Sequence, residues 1–481
     1  MSEEQGSDAS VGWSTRLAFG VGALGEGTAL GAAHVFLLFY YNHLLGLPGS
    51  LAGAALGFAT VIDAVTDPLV GSLSDGTRSR WGRRHPLMYA SVLPSALLFY
   101  MLFNPPRGLG ETTLFLWLAL TASGTRAALT LFSIPHLSMG AELSTDYDER
   151  TRLASVRLFF RQAGTLTVAL VGFGVFFQPG NGYENGQLNP TAYPPFSVFV
   201  VFCLVTTLLL SSRGTHRKIP LLPKASDSHE RFRLRRLLRE LNEAARIRSF
   251  RYVILSLLTY NSIMGMHGAL ALYVVTFFWV VSPTDIMFIA PASMLGYAVG
   301  ASLGSVVTRF LREKRSTAML GIAWYAVWSS SMPTLRLLGL APLQGDPWLV
   351  PAIAITGVIG GLGIGVAIVA KNAMLADITD EHERRYGARQ EGIYFSSSYF
   401  AEKAVTGVGI VLAGLTLEFL GLESSATPET VPSSVVQGLG IIFGPATFAV
   451  LLIPIALLLG YDITRARHAE IRQAIDATRR G

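Results

Sequence analysis

The chain has 481 residues, of which 51% are hydrophobic and only 15% charged, with a mean hydropathy of +0.44. A soluble protein carries about 25% charged residues, so the deficit excludes an ordinary globular domain and points to a polytopic membrane protein. The formal charge of +6 would suit nucleic acid, but the basic residues are confined to particular loops, so no nucleic-acid partner is expected.

The first ten residues, MSEEQGSDAS, are acidic and polar with no basic stretch leading into a short apolar core, so no cleaved signal is expected. Apolar runs of about 20 residues cross a bilayer. Here they fall near 17–45, 52–73, 86–104, 112–140, 155–178 and 194–212, then near 250–281, 286–308, 317–338, 346–372, 390–422 and 434–463. The expected fold is all-α, with twelve transmembrane helices in two six-helix halves. The halves are 1–212 and 250–464, separated by a linker at 213–249 and followed by a tail at 465–481.

The loop after the second run carries four arginines, the interval from Arg213 to Arg251 twelve Lys plus Arg, and the tail from Arg465 five arginines. Loops 179–193, 282–285 and 424–433 carry none. Alternation of this kind, under the positive-inside rule, puts both termini in the cytoplasm of a plasma-membrane protein. Segment 231–250, RFRLRRLLRELNEAARIRSF, reads as an amphipathic helix on the cytoplasmic surface. The tail segment HAEIRQAIDATRR reads as a shorter one. Gly71 to Asp75 with its arginines, and Gly300 to Gly304 with Arg309 and Lys314, form a weak internal repeat after the second and eighth spans.

The stretch VIDAVTDPLVGSLSDGTRSRWGRRHP, 61–86, is the densest in chemistry. Asp63 and Asp67 are four residues apart, hence on one helix face a turn apart. Two such carboxylates inside a membrane repel unless a cation or basic side chain joins them. Pro68 removes an N–H and frees the Ala64 carbonyl, which predicts a kink. Other ionisable residues within spans are Glu26, Arg126, Arg157, Arg161, Lys371, Glu402 and Lys403. Four acids and five bases are nearly balanced, which predicts pairing in a polar cavity. Arg126, Thr130 and Ser133 share one helix face, as do Arg157 and Arg161.

No Gly-x-Ser-x-Gly, no His-Glu-x-x-His and no phosphate-binding glycine loop with lysine occurs, so no enzyme is expected and no catalytic residue is assigned. Asp380-Glu-His-Glu383 reads as a solvated loop rather than a metal site. Cys203, the only cysteine, excludes an intrachain disulfide.

Asp63-Ala-Val-Thr-Asp67-Pro-Leu-Val-Gly71 followed by Thr77-Arg-Ser-Arg-Trp-Gly82-Arg resembles the glycoside–pentoside–hexuronide:cation symporters of the major facilitator superfamily. Gly22-Ala-Leu-Gly25, Tyr40-Tyr41, Ile134-Pro135, Arg157, Ala376-Asp377-Ile378, Asp380, Arg389, Glu391 and Lys403 extend the similarity over most of the chain. The resemblance implies a cation site at Asp63, Asp67, Thr66 and Thr130, with Na⁺ or H⁺ as coupling ion and Lys403 as coupling residue. It also implies a cytoplasmic gate at Asp75, Arg78, Gly82, Arg83 and Arg84, and no cofactor. The family's sugar-binding carboxylates of the first and fourth helices stand here at Gly27 and Ser133, neither of which is a carboxylate. Candidate substrate residues are therefore Glu26, Arg126, Ser133, Arg157, Arg161 and Glu402. The expected protein is a monomer in the lipid bilayer that carries a sugar, glycoside or uronate in symport with a cation. An amphiphile carrier or an uncoupled facilitator or exporter of the same fold is the alternative.

Overall fold

The computed structural model describes residues 11–180, 182–222, 242–387, 391–424 and 426–480. Among these residues every regular element is helical. The chain divides into two compact units that meet in sequence between residues 232 and 233. The first holds α1 (Trp13–Phe39), α2 (Gly49–Gly76), α3 (His85–Phe103), α4 (Glu111–Glu142), α5 (Tyr147–Val171) and α6 (Tyr193–His216). The second holds α7 (Arg248–Tyr273), α8 (Pro283–Leu311), α9 (Lys314–Leu337), α10 (Leu349–Tyr386), α11 (Glu391–Leu420), α12 (Ser433–Leu458) and α13 (Arg465–Arg480).

Eleven of these helices, among the described residues, are long and apolar enough to cross a membrane. The exception among the twelve expected spans is α9. Its 24 residues reach about 36 Å at 1.5 Å per residue, enough to span, but Ser329 to Ser331, Thr334 and Arg336 lower its hydropathy. Pro68 lies inside α2, which runs as one helix from Gly49 to Gly76.

Each unit pairs its helices by the same scheme. The first helix packs on the fifth and sixth, the second and third on the fourth, and the third on the sixth. The leading helices α1 and α7 both end in a π-helical turn, Tyr40–Leu44 and Val274–Phe278. These shared features extend the loose Gly71/Gly300 repeat to whole helices. The tyrosines that close α1 are pins: Tyr40 and Tyr41 donate to the Phe103 and Leu102 carbonyls at 3.1 and 2.7 Å. Those carbonyls end α3 and have no partner within it.

Glycines set the crossing of α1 and α5. A Cβ at Gly27 would stand 2.0 Å from the Arg161 carbonyl oxygen, and one at Gly164 2.1 Å from that of Leu24. Small residues let α1 and α5 touch backbone to backbone, the main source of helix association in lipid. Gly265 and Gly409 do the same for α7 and α11. Gly27→Ala should separate α1 from α5 at a cost of about 1–3 kcal/mol, read as a lower unfolding temperature of the purified protein. An unchanged melting curve would refute that crossing.

Two sequence expectations fall in the second unit. Of segment 231–250, residues 231–241 lie outside the described ones. In the remainder, 242–245 is helical with Asn242, Ala245 and Arg246 exposed, while Ala244, Ile247 and Phe250 are buried in the unit's core, together with Ile471 and Ile475 of α13. The tail does form a helix, and its apolar face is spent on protein. Asp380-Glu-His-Glu383, by contrast, is not the solvated loop expected from the sequence. α10 continues to Tyr386, and Asp380, Glu381 and His382 are buried. Glu381 is held by Arg384, Arg385 and Arg467 at 2.6–3.4 Å, and Asp380 by His468 at 3.0 Å. Asp462 joins them through Arg467 at 2.7 Å and through Ser249. Partial burial raises its carboxyl pKa, but those two partners outweigh it and hold the group below its ordinary value.

Candidate cation and substrate site

Asp63 and Asp67 rise from the middle of α2, one turn apart, against the face of α4 that carries Arg126 and Thr130. Asp63 is 6% and Thr130 1% exposed. The Thr130 hydroxyl lies 3.0 Å from Asp63 Oδ1 and 3.3 Å from Asp67 Oδ1. A hydroxyl has one proton to donate, so it serves one carboxylate at a time. A proton on the other carboxyl, or a cation between them, lets both sit there together. Arg126 Nη1 reaches Asp63 Oδ2 at 3.2 Å, a charge-assisted contact in a water-poor place. With all three ionised the group carries one net negative charge, which one monovalent cation or proton cancels. Its donors are all oxygens, as a hard cation requires. The Thr66 hydroxyl donates to the Asp63 backbone carbonyl at 3.1 Å, which leaves its oxygen lone pairs as acceptors.

A second charged group lies between α1 and α5. Glu26, 6% exposed, takes Arg157 at 3.0 Å and lies 4.0 Å from Arg161. The α1–α5 crossing positions all three, since Gly27 and Gly164 bring the backbones into contact beside them. This explains the glycine at position 27: the Arg161 backbone occupies the space a side chain would need. Ser133, on α4 one turn beyond Thr130, is half-buried.

Within the second unit Lys371 of α10 pairs with Glu402 of α11 at 2.7 Å, and Ser398 donates to the same carboxylate oxygen at 3.0 Å. Lys371 and Glu402 line a cavity of about 60 Å³, together with Tyr260 and Asn261 of α7. Tyr260 and Asn261 escape a search for ionisable residues because neither is charged at neutral pH. Lys403, one residue along α11, places its ammonium 5.6 Å from the Tyr399 ring centre.

The arginine loop between α2 and α3 is tied down inside the first unit. Arg84 reaches Asp75 at 2.6 Å and Glu142 at 2.5 Å, and donates to Ser74 at 2.9 Å. Arg83 reaches Glu142 at 2.7 Å and Asp75 at 3.6 Å. Arg78 is exposed. Gly82 turns the loop at φ +71°, a left-handed conformation that other residues adopt at a cost. Glu142 is the acid that sequence reading missed. A carboxylate in the last turn of α4 opposes the helix dipole, and that mismatch was the available signal that a basic partner stood nearby.

Long membrane-crossing helices in two similarly packed units, with charged residues paired inside the helices, define a multi-pass membrane transporter. Residues 18–465 match the family described as MFS/sugar transport protein, and the chain belongs to it. The major facilitator fold and the glycoside–pentoside–hexuronide symporter kinship follow from that membership. The chain is 26% identical to the uncharacterized symporter sll1374 of Synechocystis sp., over 97% of each chain. It is 23% identical to the isoprimeverose transporter of Lactiplantibacillus pentosus, over 85% of this chain and 80% of that one. Among solved structures the D-xylose–proton symporter superposes with a TM-score of 0.60, at 14% identity, over 94% of this chain and 98% of that one.

Proposed function

We propose that this protein is a cation-coupled symporter of a sugar, glycoside or uronate, working by alternating access. The reading rests on one observation: Thr130 stands within reach of both Asp63 and Asp67 in the span interior, with Arg126 on the outer oxygen of Asp63. The lone net negative charge there suits one Na⁺ or one H⁺. Binding that ion releases the repulsion between two stacked carboxylates, which is how occupancy is communicated to α2 and α4. Lys403 is proposed to couple ion and substrate occupancy.

The candidate substrate residues support a hydroxyl-rich guest. Glu26 and Glu402 each hold a basic partner already, so a sugar would exchange hydrogen bonds with a preformed pair without uncovering a bare charge. The Glu26, Arg157 and Arg161 group carries one surplus positive charge, which suits a uronate. Kinship with an isoprimeverose transporter favours the same class. The loop of Asp75, Arg78, Gly82, Arg83 and Arg84 is proposed to act as the cytoplasmic gate, with both termini in the cytoplasm of a plasma-membrane monomer.

The test is uptake into proteoliposomes, using pentosides, glucosides, uronates and lysolipids under an imposed Na⁺ gradient, an imposed pH gradient, or neither. Accumulation of a glycoside or uronate under one gradient supports the reading. Uptake indifferent to both gradients would mean a facilitator, and uptake of lysolipid alone would mean an amphiphile carrier.

A further inference from the structure

A second charged feature lies well away from the paired residues of the spans, at the end of α8. A cavity of about 320 Å³ opens between the α8–α9 connection, the last third of α10 and the first turn of α13. Its walls carry Arg309, Arg312, Lys314 and Arg465 against the acids Glu313 and Asp377. Both acids are already engaged. Asp377 receives Lys314 at 2.5 Å, Tyr461 at 3.1 Å and His468 at 3.3 Å, while Glu313 accepts the Arg465 backbone N–H at 3.3 Å. Among the described residues, the guanidinium groups of Arg309, Arg312 and Arg465 have no hydrogen-bond or ion-pair partner. Three guanidinium groups face one roomy, polar cavity whose wall, with four Lys and Arg against two acids, carries a surplus of two positive charges.

Two further observations say what kind of anion it suits. Arg312 ends α8 in the left-handed conformation, φ +62°, with its backbone N–H on the Thr308 carbonyl at 2.9 Å, a common helix stop that sets the residue at the cavity wall. The exposed face of α8 leads straight to it. Phe288, Leu295, Val299, Leu303, Val306 and Phe310 recur at three, four and seven residues along one side, and Phe310 is 85% exposed. An apolar stripe of membrane length ending at a basic cavity matches a molecule with an anionic head and a hydrocarbon tail. A soluble anion would use the cavity and ignore the stripe.

We infer that this cavity binds the phosphate headgroup of an anionic phospholipid, whose acyl chains lie along the exposed face of α8. Basic pockets beside membrane helices recognise such headgroups, each nearby Lys or Arg contributing favourably. The site is independent of the transport reading, because it shares no residue with the proposed cation or substrate groups.

The experiment titrates the purified full-length protein in detergent with phosphatidylglycerol, phosphatidylcholine or inorganic phosphate, and counts bound molecules by native mass spectrometry. One tight phosphatidylglycerol is expected. Arg309→Gln combined with Arg312→Gln should weaken it roughly thirtyfold, from the contributions of two basic side chains. Arg213→Gln with Arg217→Gln, the same charge change on exposed positions of the first unit, should leave it unaltered. Arg312→Gly suits the left-handed backbone, so it supplies a folded variant should the double one fail, and a weaker phosphatidylglycerol affinity is expected from it too. Undiminished phosphatidylglycerol binding in the cavity variants would overturn the proposal. So would phosphatidylcholine binding as tightly, or inorganic phosphate competing equally, which would mark a free-anion site.

Discussion

Asp63→Asn should abolish accumulation against a gradient while the protein still reaches the membrane and equilibrates substrate. The change removes a carboxylate that contacts both Thr130 and Arg126. The site's net charge then goes from one negative to zero, so a Na⁺ or H⁺ gains nothing by entering. Arg126 loses its close partner as well, which costs about 1–3 kcal/mol of stability. Combining Asp63→Asn with Arg126→Gln should recover that stability and leave coupling lost. The measurements are gradient-driven uptake beside substrate exchange, with thermal unfolding on each variant. If Asp63→Asn still concentrates substrate under the coupling gradient, the cation site lies elsewhere.

The Glu26 pair is the second large effect. Glu26→Gln leaves Arg157 and Arg161 inside the α1–α5 contact without their shared anion, and breaking a buried pair costs about 3–5 kcal/mol. Arg157→Gln should cost less, because Arg161 still faces the carboxylate. The double variant Glu26→Gln with Arg157→Gln should be more stable than Glu26→Gln alone, since it removes uncompensated charge along with the pair. The non-additivity in a double-mutant cycle measures the coupling. Additive losses would show that the pair is a contact without energetic weight. Substrate affinity read on the same variants separates roles: a neutral sugar should lose affinity with Glu26, and a uronate should lose more with Arg157.

The likeness between units bears on how much of this could be read in advance. Gly71 and Gly300 are a thin match by themselves, since glycine-rich helix ends before basic loops are common. The shared pairing scheme and the matching π-helical ends of α1 and α7 are three-dimensional facts with no one-line sequence signature. The aromatic tyrosines at 40 and 41 were visible as a motif. Their work as pins on the end of α3 was not.

What the sequence alone determined is whatever depends on spacing along one helix and on transfer from water to lipid. Run length and hydropathy placed the spans. The four-residue interval put Asp63 beside Asp67, and the same arithmetic put Arg126 in line with Thr130. Partner choice across helices was decided only by tertiary packing, because helical periodicity says which face a residue takes and nothing about the helix opposite. Arg126 reads as a substrate group from the sequence, and only the packing of α4 on α2 shows that its guanidinium meets Asp63. Glycine at 27 reads as a lost carboxylate until α5 is seen filling the space. Asp380, Glu381 and His382 read as wet because they are polar, yet α13 supplies arginines and a histidine to the two acids, and the Tyr394 hydroxyl of α11 meets His382 at 2.8 Å. A charged side chain enters a low-dielectric interior when the fold delivers its counter-charge, and that delivery belongs to the packed chain.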